Sequence, residues 1–238
     1  MKQQPRVLGV LGGMSWESTA IYYRLLNQGV VQRRGGLHSA PLLLHSVDFA
    51  PVAAMQAAHD WTGAAVLLGG AAAGLRVAGA QALLLATNTM HKVADSIEAA
   101  GGLPLLHIAD PTGAALQAAG VRRAALLGTR FTMEDPAIVQ DRLQQRFGVA
   151  ALVPDAAGRG LMHDVIYKEL CRGVVRESSR DAVVQLISSL RAEGAEAVVL
   201  GCTEITLLID SLCSPLPVFD TTALHASAAV SWLLEECQ

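Results

Sequence analysis

At 238 residues, 52% of them apolar and only 16% charged, the chain has ample material for a core and is not disordered. The formal charge of −3 gives no basic footprint, so no nucleic-acid partner is expected. Aromatic residues make up only 4%, so the core must be built from Ala, Val, Leu and Ile.

In chain order, Lys2 and Arg6 flank the start of an apolar run at 7–14. The run is short and no small-x-small site comes after it, so it does not read as a signal peptide. Gly12-Gly13-Met14-Ser15 then forms a loop whose glycines permit a tight turn and close backbone approach to a ligand. A helical pattern occupies 17–31. The longest uncharged stretches, 62–75 and 77–90, have 14 residues each, short of the roughly 18 needed to span a bilayer. No membrane association is expected, and tight helix packing accounts for Gly69, Gly70 and Gly74 better than a phosphate loop does. Further helical patterns lie at 136–147, 161–172 and 179–193.

Short apolar runs recur between these helices. RVLGVLGG at 6–13 matches RRAALLGT at 122–129, with Gly128 lying 116 positions after Gly12. ALLLATNT at 82–89 matches AVVLGCTE at 197–204, with Cys202 lying 115 positions after Thr87. LPLLHIADPT at 103–112 matches LPVFDTT at 216–222. Unbroken apolar runs alternating with helices indicate buried parallel strands. The fold class is α/β: two pseudo-symmetric domains, each a small parallel sheet flanked by helices, with the active site in the cleft between them. The expected domains are 1–105 plus about 220–238, and 106–219.

The polar residues that could carry chemistry lie just after these strands. Cys202 ends one strand and precedes Thr203-Glu204; a helix start there would lower its pKa and free a thiolate. The alternative is a small buried hydrophobe, the usual condition of a free cysteine. Thr87, Asn88 and Thr89 could hold a carboxylate at a helix start, or simply cap the helix. His91 reads more readily as a satisfied helix residue than as an orienting group. Lys168 stands four residues after Asp164, the spacing of a surface ion pair. Cys171, Cys213 and Cys237 have no comparable setting and read as structural. Four cysteines at these spacings make neither a disulfide framework nor a metal site.

GGMSWEST (12–19), HSVDF (45–49), ATNTMHK (86–92), LLGTRFTME (126–134) and LGCTEI (200–205) together resemble the aspartate/glutamate racemase superfamily, and within it the bacterial L-aspartate/glutamate-specific racemases. The resemblance implies a cytoplasmic, cofactor-independent homodimer that racemises a small acidic amino acid. In such enzymes one thiolate removes the α-proton and a second group returns a proton to the opposite face. Cys202 matches the second cysteine of the superfamily, and Thr87 stands where most members have the first. Met14, Gln56, Thr87, Asn88, Thr89 and Lys168 match ligand-contact positions, which moves Lys168 from surface pair to substrate binder. Thr203 is expected to help hold the reacting carboxylate.

Threonine in place of cysteine changes the chemistry. Forming thiolate from an ordinary thiol at pH 7 costs roughly 2 kcal/mol, whereas a free alkoxide costs on the order of 12 kcal/mol. Thr87 is therefore suited to donate a proton and is a poor base. Two other readings stand beside the racemase: a single-cysteine decarboxylase of a malonate-type acid, and a catalytically silent protein that binds an acidic ligand. Against the first, such decarboxylases lack the Thr-Asn-Thr-Met-His run at 87–91.

Overall fold

Parallel strand pairing governs the structure, a computed structural model in which residues 6–235 are described. Lys2 and Cys237 lie outside the described residues. The chain divides into two units, Met1–His107 with His225–Gln238, and Ile108–Leu224.

The first unit holds a parallel sheet of β1 (Leu8–Gly12), β2 (Leu42–Ser46), β3 (Ala82–Leu85) and β4 (Leu105–Leu106), in the order β2-β1-β3-β4. The central strands β1 and β3 are buried along their whole length. Both faces of such a strand meet helices, which is why an unbroken apolar run encodes it. On one face Leu11, Leu83 and Leu85 pack with Leu68 and Ala72 of helix Trp61–Val77. On the other, Leu8, Val10 and Leu84 pack with Tyr22 and Leu26 of helix Trp16–Arg34. Ala226, Ala229 and Val230 join that second core. The final helix, Thr221–Leu234, thus belongs to this unit from His225 onward.

The second unit repeats the topology with β5 (Arg123–Gly128), β6 (Ala150–Leu152), β7 (Ala197–Gly201) and β8 (Val218–Asp220), in the order β6-β5-β7-β8. Its two faces are covered by helices Ala156–Asp164 and Glu177–Ala192, and by Ala109–Ala118 and Gln140–Phe147. Asp110 ties the latter two together, accepting from Arg142 Nε at 2.6 Å and from Arg146 at 2.8 Å.

Two local expectations change, the extent of one helix and the packing of two glycines. The helix expected over 136–147 begins at Gln140, because Pro136–Val139 form a turn held by the Asp135 carboxylate and the Pro136 carbonyl. The stretch at 161–172 is helical throughout but changes pitch: α-helix Ala156–Asp164 continues as a wider π-helix at Val165–Glu169 and a tighter 3-10 helix at Leu170–Arg172. A methyl on Gly69 would meet Ala100 Cβ at 2.8 Å, as tight packing requires, but Gly70 and Gly74 face open space. Strands β2 and β6 lie at sheet edges, less buried than the central strands, on the short apolar runs at 42–44 and 149–153. Among the described residues no helix is long and apolar enough to cross a membrane.

Candidate active site

In parallel sheets the loops beyond the carboxyl ends of the strands carry the ligand-facing groups. In the first unit these are the loops after β1, β2 and β3. Gly13 takes φ +89, and its N–H donates to Thr19 Oγ1 at 2.8 Å. A side chain there would collide with the Val47 backbone, so only glycine lets the two loops approach. Ser15 caps the next helix by accepting from the Ser18 N–H at 3.3 Å. Met14, just before it, is buried.

Gln56, on helix Phe49–Ala57, is also buried, and its amide donates to Met90 Sδ at 3.0 Å. This brings Gln56 to the segment after β3. There Thr87 is half-buried while Asn88 and Thr89 are buried. The segment leads into the tight turn Thr89–Val93 and then helix Ala94–Gly101, and Asn88 makes no side-chain capping bond to that turn. His91 is a satisfied residue of that helical turn, as its sequence setting suggests. Its Nδ1 lies 2.8 Å from the Thr87 carbonyl, and the ring is buried.

In the second unit Cys202 comes directly after β7 and is half-buried, with Thr203 buried beside it. The expected lowering of its pKa is overturned. Burial pushes the Cys202 thiol well up, and the Glu204 carboxylate raises it further. The thiol donates to Glu204 Oε2 at 2.9 Å. The next element is a five-residue tight turn, Thr203–Leu207, too short for a helix dipole to offset these effects.

Three neighbours of this thiol carry no role in the sequence motifs alone. Glu204 is buried, whereas a second thiol, Cys171, is exposed. Partial desolvation and then Glu204 push Cys171 up to about 12. Burial likewise carries Tyr167 up to about 12, reinforced by Cys202, Cys171 and Glu204. The motif LGCTEI places Glu204 two residues from the thiol; nothing local points to Cys171 or Tyr167. Cys213 packs against the core and accepts from the Asp210 N–H at 3.4 Å. At the end of β8, Thr222 Oγ1 donates to Thr203 Oγ1 at 3.5 Å.

Lys168 is two-thirds exposed, at 67%, and its Nζ donates to Asp164 Oδ2 at 2.8 Å. In this structure it is the i,i+4 pair that its spacing suggests. Among the described residues no group of three or more His, Cys, Asp or Glu side chains could hold a metal ion.

Thr87 and Cys202 thus lie just beyond β3 and β7, which occupy the same place in two sheets of identical order. Comparison with known proteins agrees with this layout. The model of the Asp/Glu/hydantoin racemase family matches residues 11–229. A Yersinia pestis structure assigned to the Asp/Glu racemases is 50% identical, with a TM-score of 0.91 over 97% of this chain and 100% of its own. An aspartate racemase homologue from Pyrococcus horikoshii is 28% identical, with a TM-score of 0.82 over 98% of this chain and 100% of its own. The broad specificity amino-acid racemase RacX of Bacillus subtilis is 23% identical over 96% of this chain and 98% of its own length. The chain belongs to the Asp/Glu/hydantoin racemase family and is an isomerase of the amino-acid racemase type.

Proposed function

We propose that the protein racemises L-aspartate or L-glutamate without a cofactor, as a cytoplasmic homodimer. Cys202 removes the α-proton from the L enantiomer, and Thr87 donates one to the opposite face. The observation that carries this reading is the equivalence of Thr87 and Cys202: each lies just beyond the third strand, in chain order, of a four-stranded parallel sheet. Donors beside them suit a carbanion that has no cofactor to absorb its charge. Asn88, Thr89 and Thr203 hold the reacting carboxylate in this reading. Met14 and Gln56 line the substrate, and Lys168 leaves Asp164 to neutralise the distal carboxylate.

The thiol must reach its thiolate form against burial and Glu204, so that step contributes to the barrier. Thr87 is the weaker partner as a base. Because enantiomers have equal free energy, kcat/KM is the same in both directions. A weak base at Thr87 therefore slows both equally.

Proton NMR of L- and D-amino acids and substituted malonates in heavy water, with enzyme present, tests the reading. L-aspartate or L-glutamate should exchange its α-proton faster than it racemises, and Cys202→Ser should abolish both. Decarboxylation of a malonate without amino-acid exchange would replace the reading with a single-thiol decarboxylase. Binding of acidic amino acids without exchange would replace it with a ligand-binding protein.

A further inference from the structure

Behind Thr87 the first unit buries a cluster that the proposed reaction does not use. His91, His107, His225 and Tyr22 are all buried. The His91 and His107 ring centroids lie 4.5 Å apart, those of His91 and His225 5.8 Å, and those of Tyr22 and His225 5.6 Å. These residues come from separate stretches of chain and meet only in the fold.

Hydrogen-bond chemistry assigns the protons. A carbonyl oxygen can only accept. His91 Nδ1, at 2.8 Å from the Thr87 carbonyl, therefore carries hydrogen and donates. His225 Nε2, at 2.7 Å from the Leu106 carbonyl, likewise donates. In neutral His225 the other nitrogen, Nδ1, is then an acceptor, and the Tyr22 hydroxyl donates to it at 2.9 Å. Tyr22 fixes His225, whose ring packs against that of His91. Two imidazoles thus hold two backbone carbonyls, one beyond the end of β3 and one at the end of β4.

We infer that His91 is a positioning residue for Thr87: its Nδ1–H pins the Thr87 carbonyl and so sets the direction in which the Thr87 hydroxyl meets the reacting carbon. This rests on the racemase function proposed for the same site. The peptide that carries Thr87 cannot rotate without breaking the bond. A proton donor displaced by about 1 Å loses on the order of 100-fold in rate. The ring makes no claim on the substrate itself, so binding should be nearly indifferent to it.

The test compares His91→Leu, which removes the donor, with His91→Asn, whose amide nitrogen can occupy about the place of Nδ1. Expected for His91→Leu is a loss of roughly 10- to 100-fold in kcat for aspartate racemisation, with KM within about twofold and α-proton exchange from L-aspartate preserved. His91→Asn should restore most of kcat. In wild-type protein labelled with ¹⁵N-histidine, the His91 signal, assigned by its absence from His91→Asn, should show a protonated Nδ1. An unprotonated Nδ1, or equal losses in the two variants, overturns the inference and leaves the racemase reading intact. If His91→Leu does not fold, the labelled wild type and His91→Asn still decide. Absence of any α-proton exchange by the wild type, with Nδ1 protonated, overturns the racemase reading first and this inference with it.

Discussion

The Cys202 thiol donates a hydrogen bond to the Glu204 carboxylate at 2.9 Å, so the resting thiol is held in its protonated form. Burial acts in the same direction. A reaction that needs the thiolate should then speed up with pH throughout the neutral range. We predict that kcat/KM for aspartate, and the rate of Cys202 alkylation by iodoacetamide, each rise about tenfold per pH unit between about 6 and 8. Glu204→Gln should raise the alkylation rate at pH 7 by about tenfold, because it removes a negative charge that opposes the thiolate. Alkylation measured in a background lacking Cys171, Cys213 and Cys237 checks this. A flat pH profile, or slower alkylation in Glu204→Gln, would contradict it.

Acid should destabilise the first unit through His91. Burial holds its pKa well below the usual histidine value, and repulsion from His107 and His225 adds to the shift. Proton counting fixes the sign. In the unfolded chain His91 binds a proton near pH 6.5, while in the folded chain it stays neutral to lower pH. Its contribution to stability is therefore complete above about pH 6.5 and is lost as pH falls toward the folded value. The expected slope in that window is about 1.4 kcal/mol per pH unit for this one group. His91→Asn should flatten the dependence of Tm on pH between about 6.5 and 5, as measured by calorimetry. An unchanged slope would remove His91 from the account.

Lys168 separates stability from function. Its pair with Asp164 is exposed on both sides, so breaking it should barely move the folding equilibrium. Lys168→Met should leave Tm within about a degree of wild type while raising KM for aspartate by at least about tenfold, the effect of losing a charge-assisted contact. Exchange of alanine, which has no distal carboxylate, should be unaffected. Equal changes for the two amino acids would confine Lys168 to the surface pair seen here.

How much of this is legible in the chain depends on how far apart the relevant residues lie. Strands β1, β3, β5 and β7 are buried on both faces, so their apolar runs stand out. Edge strands β2 and β6 also carry apolar runs, at 42–44 and 149–153, but these are short and the strands are less buried. Thr87 and Cys202 are visible because each lies just after a readable strand. Glu204 sits in the same motif, yet its effect on the thiol cannot be read there, since burial and the direction of its carboxylate are properties of the fold. The influence of Glu204 on Cys171 joins residues far apart in the chain, and the hydrogen bond of His225 to Leu106 spans 119 positions. Such pairs are created by sheet order and helix return, which no local pattern encodes.

Thr87→Cys is the substitution that most directly probes the chemistry of the first unit. At neutral pH an alkoxide costs on the order of 10 kcal/mol more than a thiolate, from the pKa values of water and an ordinary thiol. If proton removal by Thr87 limits turnover, a thiol there should raise kcat/KM by at least about tenfold. Equal free energies of the enantiomers require that the factor be the same from L- and D-aspartate, even if kcat and KM change differently. Thr87 is half-buried and a thiol is close to a hydroxyl-bearing side chain in bulk, so folding should tolerate the change. Polarimetry from each enantiomer, with Tm measured beside it, supplies the comparison. A folded variant with unchanged kcat/KM would show that the slow step lies elsewhere, with formation of the Cys202 thiolate against Glu204 as the first place to look.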